Sequence, residues 1–144
     1  MPLYIIDSSV FNKLYLEEPG RNTALMIFEQ ASKGNINLLA PQLLYYEVIA
    51  TAQYYKLPIG SISQLLDQQI KYNLPLVEPT EEHRHKAIEI IQMGHPKNGS
   101  PTIYDAIFHA IAIIENGTFV TADRKHFVKA NTLGYITMLE TWEA

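Results

Sequence analysis

The sequence predicts an α/β fold, a parallel sheet covered on both faces by helices. Three observations predict it. Short apolar runs of four or five residues recur along the chain, longer stretches with helical spacing separate them, and the runs are apolar throughout rather than alternating. Strands buried on both faces and joined by helical crossovers read in this way. At 144 residues, 47% hydrophobic and 18% charged, the chain matches one domain, residues 1–144, with a single core.

Leu3–Ile6 is the first β-prone run, and it stops at Asp7-Ser8-Ser9, a cluster typical of a helix N-cap. Apolar residues from Val10 to Leu16 follow at helical spacing until Pro19-Gly20, and a second helix spans Asn22 to Ser32 before Lys33-Gly34. A strand is expected at Ile36–Ala40, with Pro41 at the first position of a helix that covers Gln42 to Lys56 and ends at Pro58 and Gly60. Ser61–Tyr72 reads as a helix and Leu74–Val77 as a third strand. Thr80 caps a helix reaching Met93, with Glu82 and His83 in its first turn. After the breaker-rich Gly94–Gly99 loop, Ser100-Pro101 has the form of an N-cap and N1 pair, opening a helix to about Glu115. Asn116-Gly117 stops it. Thr118–Thr121 is a strand, Arg124–Ala130 a short helix and Gly134–Met138 a final strand.

Composition narrows the function. With 11 Lys+Arg against 15 Asp+Glu the formal charge is -4, so contact with nucleic acid has to come from a local basic patch or from metal ions. Absence of cysteine excludes disulfides, thiolate zinc sites and cysteine nucleophiles, and suits a reducing cytoplasm. The apolar runs are far short of a membrane span, and Met1–Val10 carries an acid where a signal peptide would be basic, so a soluble intracellular protein with no membrane association is expected.

The acids are the informative residues. Of the four aspartates, Asp7 and Asp123 each follow a strand at its C-terminal end, the edge where open α/β sheets place ligands. Helix capping explains either one alone. Asp105 falls in the second turn of its helix, past the free N–H groups, and is the only charge between Thr102 and Ile114. Ile103, Ala106, Ile107, Ala110, Ile111 and Ile114 form one face of that helix, and Phe108 and Ala112 make the other side apolar, so the helix should be buried nearly all round. Glu47 repeats the pattern as the only charge between Gln42 and Tyr55. Two readings fit: a pair of buried salt bridges, or one shared acidic site. The only arginines, Arg21, Arg84 and Arg124, all lie outside segments that have to be interior, which favours the shared site. Clustered carboxylates repel and stay partly protonated unless divalent cations supply the missing charge, and oxygen donors suit hard cations such as Mg²⁺ or Mn²⁺. Two such ions can clamp the attacking water and leaving oxygen of a phosphodiester.

Ile5-Ile6-Asp7-Ser8-Ser9-Val10, Leu44-Tyr45-Tyr46-Glu47-Val48, Tyr104-Asp105-Ala106-Ile107 and Phe119-Val120-Thr121-Ala122-Asp123-Arg124 resemble the ordered motifs of PIN-domain ribonucleases, especially VapC-like toxins. The resemblance covers essentially the whole chain. It implies a Rossmann-like three-layer α/β/α sandwich and a Mg²⁺- or Mn²⁺-dependent endoribonuclease site built from Asp7, Glu47, Asp105 and Asp123. Thr121 matches the hydroxyl that helps order the last acid, and Ser9 the small polar residue after the first. The family also implies a homodimer and, for a toxin, a small antitoxin whose basic or aromatic tail covers the acids. A different class remains open, a catalytically weak or inactive PIN-like module that binds RNA or protein, although all four acids are present. A haloacid-type phosphatase needs an acid where Ser9 stands, and a phosphoacceptor receiver domain needs an acidic pair at the first strand.

Two positions depart from the pattern. Ala50 stands where many relatives have Asn three residues after the helical Glu. His109, one turn after Asp105, shares its face and could reach a metal-bound water or a phosphate, with the nearby carboxylate favouring its protonated form; a satisfied core histidine is the plainer reading. Among basic residues, Arg124 and Lys125, with His126 and Lys129, follow Asp123 and could hold RNA phosphates. His83-Arg84-His85-Lys86 reads as a solvated face, the loop with His95, Lys97 and Asn98 as a connection or a channel border, and Tyr45, Tyr46, Tyr54 and Tyr55 as core or dimer contacts, with base stacking the alternative.

Overall fold

A computed structural model describes all residues, 1–144. Five parallel strands, β1 (Leu3–Ile6), β2 (Asn37–Pro41), β3 (Leu76–Val77), β4 (Thr118–Thr121) and β5 (Ile136–Met138), form one sheet in the order β3-β2-β1-β4-β5. Ile5 stands between Leu39 of β2 and Phe119 of β4, all apolar, as a central strand requires. The helices are α1 (Ser8–Phe11), α2 (Arg21–Ser32), α3 (Leu43–Tyr54), α4 (Ile59–Tyr72), α5 (Glu81–Met93), α6 (Ile103–Ile114) and α7 (Arg124–Ala130). The chain winds from β1 to β3 in one direction and from β3 to β5 in the other. Right-handed crossovers therefore put α1 to α4 on one face and α5 to α7 on the opposite face. This is the three-layer sandwich the sequence implies, and none of its helices is long and apolar enough to cross a membrane.

The order of winding reverses between β1 and β4, so their C-terminal ends open side by side. α6, whose residues Ala106 to Ala112 are all buried, lies across β2, β1 and β4 and forms the centre of the core. Its turn into β4 is tight: a Cβ at Gly117 would lie 2.9 Å from the carbonyl oxygen of Leu3, so only glycine fits.

Several boundaries differ from expectation for local reasons. The first helix is four α-helical residues followed by a 3-10 turn, Asn12–Leu14. Pro41 ends β2 rather than opening α3, because the Gln42 N–H donates to the Val77 carbonyl (3.0 Å) and extends the sheet by one step. β3 is confined to Leu76–Val77, since the Leu74 N–H donates back to Gln69 (2.7 Å) and Pro75 has no N–H to offer. β5 begins at Ile136 because Gly134 and Tyr135 both have positive φ. The cap of α6 is Thr102, whose hydroxyl accepts from the Asp105 N–H at 3.2 Å, and not Ser100. Asp105 consequently belongs to the first turn of α6, correcting its expected place in the second.

Candidate active site

Topology brings the four acids to one edge of the sheet. Asp7 leaves the end of β1 and Asp123 the end of the adjacent β4, while α6 and α3 begin at the same edge and carry Asp105 in the first turn and Glu47 in the second.

Asp7 is held most firmly. It occupies the N-cap position of α1 but caps nothing, so the capping explanation fails for it. Its Oδ2 accepts from the Thr121 hydroxyl at 2.6 Å and from the Ser9 hydroxyl at 3.1 Å. Each hydroxyl also accepts from the far loop: Thr121 Oγ1 from the Asp123 N–H (3.0 Å) and Ser9 Oγ from the Ala122 N–H (3.0 Å). Two short side chains thus tie the loop after β1 to the loop after β4, and this sets the spacing of Asp7 and Asp123. Asp123 does cap its helix, accepting from the Lys125 N–H at 2.9 Å.

Electrostatics marks the acids as a cluster. Burial raises the Asp7 carboxyl above its ordinary value despite the donors from Thr121 and Ser9, and the Asp123 charge adds to the rise. Burial, then the charges of Asp7 and Asp105, push Glu47 up to about 7. Burial, then Asp7 and Asp123, push Asp105 up to about 6, with Lys129 acting the other way. The salt bridges of the fold all lie elsewhere: Arg124 pairs with Glu140, Arg21 with Glu17 and Lys13 with Glu18. Buried salt bridges therefore do not explain Glu47 and Asp105. The buried Oε1 of Glu47 has no hydrogen-bond partner at all.

These donors fit a hard divalent cation. They are carboxylate oxygens in no salt bridge with Lys or Arg, and the orphaned Glu47 oxygen needs a positive partner. No three acidic or imidazole side chains close round a single point. The arrangement is thus not an all-protein cage, but Mg²⁺ is commonly held by one or two carboxylates and keeps several of its waters.

The remaining candidates divide. His109 is fully buried, with Nδ1 hydrogen-bonded to His126 Nε2 (3.0 Å) and Nε2 to the Gly134 carbonyl (2.8 Å). Both nitrogens are engaged away from the acids, and burial lowers its pKa, contrary to the expected protonated form. His126 is likewise buried and pushed down to about 3, so it leaves the basic patch. Arg124 and Lys125 are exposed beside Asp123. His83 is buried in a capping box with Thr80 and bonded to Glu115 (2.9 Å), which removes it from the expected solvated face. His95 organises its own loop by accepting from the Lys97 and Asn98 N–H groups, and Asn98 ties that loop to Val128. Tyr46, Tyr54 and Tyr55 are exposed rather than core, and only Tyr45 is packed inward, hydrogen-bonded to Ser63. Sequence reasoning passed over Asn12 and Lys13, both nearly buried beside the site. The signal was available, since a charge in a short apolar run singled out Glu47 and Asp105.

The sequence profile of the PIN domain matches residues 4–132. The chain belongs to the PIN-domain family. Solved structures share the fold at low identity. VapBC2 from Rickettsia felis, bound to a DNA fragment from its promoter, is 16% identical with a TM-score of 0.69, covering 94% of this chain and 96% of that one. VapBC-1 from nontypeable Haemophilus influenzae is 15% identical with a TM-score of 0.69, covering 96% and 99%. VapC20 of Mycobacterium tuberculosis, a Sarcin-Ricin loop cleaving toxin, is 10% identical with a TM-score of 0.62, covering 80% and 85%. No curated protein matches the sequence significantly. The PIN domain here accounts for nearly the whole chain.

Proposed function

We propose that this PIN domain is a metal-dependent endoribonuclease that hydrolyses RNA phosphodiester bonds and is the toxin of a toxin–antitoxin pair. The observation that carries the reading is the set of four carboxylates at the reversal point of the sheet, free of any Lys or Arg partner, with Glu47 and Asp105 raised to about 7 and 6. Asp7, Glu47, Asp105 and Asp123 are the residues to hold Mg²⁺ or Mn²⁺. A cation held there would supply charge to offset theirs, polarisation of the phosphodiester and easier deprotonation of the attacking water. Asp7 and Asp123 are kept in register by Thr121 and Ser9, which position them through their hydroxyls. Lys125 and Arg124 lie next to Asp123 to receive backbone phosphates, Arg124 on release from Glu140. His109 supports the site by fastening α6 to α7 and to the turn before β5.

The VapBC complexes among the structural neighbours support an antitoxin partner, and the uncompensated acids suit a basic segment laid across them. A homodimer is part of the same reading, supported by the apolar groove of Ile88, Ile91, Ile103 and Tyr104 on the outer side of α5 and α6. The deciding experiment is incubation of purified, antitoxin-free protein with a mixed RNA pool, with Mg²⁺ or Mn²⁺ and with EDTA. Cleavage that EDTA abolishes is expected. Absence of metal-dependent cleavage overturns the nuclease in favour of a PIN-like binding module.

A further inference from the structure

A groove of about 500 Å³ runs from Asp123 and Ser9 between the turn after α1 and the end of α3, and its walls include Asn12, Lys13, Thr51 and Tyr55. Its size lies within the range of small-molecule sites. Three features in it are unusual for a mere surface depression. Lys13 is only 9% exposed, and lysine is seldom so buried unless firmly paired. Its one partner is Glu18 at 3.3 Å, whose side chain is 40% exposed, a pair of the kind that stabilises little. Asn12 has its carbonyl oxygen taken by the Tyr15 hydroxyl at 2.7 Å, which leaves its amide NH₂ as a donor without a protein partner. Tyr55, at the end of α3, is 53% exposed, with Tyr54 packed edge-on against it at 5.0 Å. A cation, an amide donor and a supported aromatic face are the three groups that take a phosphate, a sugar or base edge, and a base. A second groove shares Lys13 and Glu18 and reaches Glu140, the residue that holds Arg124.

We propose that this groove is a subsite for one nucleotide of a single-stranded RNA, next to the phosphodiester at the acids, with Lys13 taking its phosphate and Tyr55 stacking on its base. Glu18 occupies the ammonium in the free protein and gives way to the phosphate. The identity of the ligand as part of an RNA strand rests on the nuclease reading, whereas the binding of a nucleotide does not.

The test uses two readouts on the full chain. In EDTA, where the proposed chemistry is silent, each nucleoside 5′-monophosphate and its parent nucleoside are titrated and followed by backbone amide NMR shifts. Shifts centred on Asn12, Lys13 and Tyr55, with the monophosphate bound more tightly than the nucleoside, are expected. Tyr55→Ser should weaken binding about tenfold, and Tyr55→Phe should restore it because the stacking face remains. Lys13→Met should erase the preference for the monophosphate. Glu18→Gln should tighten binding severalfold by freeing the ammonium, whereas a purely structural ion pair would give no gain. Should Lys13→Met fail to fold, the Glu18 and Tyr55 variants decide the matter, since both residues lie at the surface. With metal and a short single-stranded RNA, Lys13→Met should raise KM and lower the salt dependence of binding by about one counterion. RNA cleavage with KM and salt dependence unaltered in the Lys13 and Tyr55 variants overturns the subsite and leaves the nuclease standing. Nucleotide binding at these residues by a protein that cuts no RNA keeps the subsite and overturns the nuclease.

Discussion

Neutralising Glu47 should stabilise the metal-free protein, and only at high pH. The unfolded chain ionises this carboxyl near 4.5, the folded one at about 7. Holding the ionised form in the fold therefore costs at most roughly 3 kcal/mol. Glu47 is half-buried, and solvent screening reduces this to about 1–2 kcal/mol. The sign follows from proton linkage. Between pH 4.5 and 7 the folded state binds the extra proton, so the favourable contribution of the neutral acid is complete below 4.5 and is lost as pH rises through 7. Glu47→Gln keeps the shape and removes the charge, so at pH 8 in EDTA it should melt roughly 3–6 °C above the parent. At pH 5, where Glu47 is mostly protonated already, the difference should shrink towards zero. Thermal unfolding followed by circular dichroism at the two pH values measures this. Mg²⁺ should raise the melting temperature of the parent at pH 8 and close the gap, while Asp67→Asn on the exposed side of α4 should change nothing. A Glu47→Gln protein less stable at both pH values, or equally stabilised at both, would refute the shared acidic cluster.

Thr121→Val leaves the Asp123 N–H without its partner and Oδ2 of buried Asp7 with the Ser9 hydroxyl alone, and should cost about 1–3 kcal/mol in urea unfolding and reduce RNA cleavage, with Thr121→Ser retaining both. His126 stays neutral in the fold to about pH 3 but titrates near 6.5 when unfolded, so stability should fall as pH drops below about 6.5. His126→Phe should flatten that slope in acid titrations of the melting temperature. His109→Gln should lower stability through the lost contacts to His126 and Gly134 without removing an acidic-side inflection from the rate. Cleavage should rise with pH through 6 to 7 as Asp105 and Glu47 lose their protons, and more Mg²⁺ should move the inflection to lower pH because cation and proton compete for the same oxygens.

The legible part of the site came from charge standing where charge is costly. Asp7 and Asp123 were placed by the strands they follow, and Glu47 and Asp105 by the apolar helices around them. Side-chain partnerships across the chain were not legible in the same way. His109 meets His126 at a distance of 17 positions, and His83 meets Glu115 at 32, so the sequence named neither partner: it favoured a satisfied core place for His109, which the packing bears out, and a solvated face for His83, which it does not. The start of α6 was read at Ser100-Pro101, whereas the helix is capped two residues later by the Thr102 hydroxyl, with Pro101 buried in the segment before it. β3 was overestimated because an apolar run says nothing of whether its N–H groups have already been claimed by the helix before it.

The hydroxyl bridge between β1 and β4 has a direction. Thr121 has one hydrogen to give, and it goes to Asp7, since its oxygen already receives the Asp123 N–H. Ser9, likewise an acceptor from Ala122, gives its hydrogen to the same carboxylate oxygen. The two oxygens of Asp7 are therefore not interchangeable. Oδ2 receives both hydroxyls, whereas Oδ1 has the longer 3.3 Å side-chain contact from Ser8 and is the oxygen more open to a proton or a cation. A symmetric acid has been made one-handed by its neighbours, and the loops that set its position also choose which of its atoms is offered to a ligand.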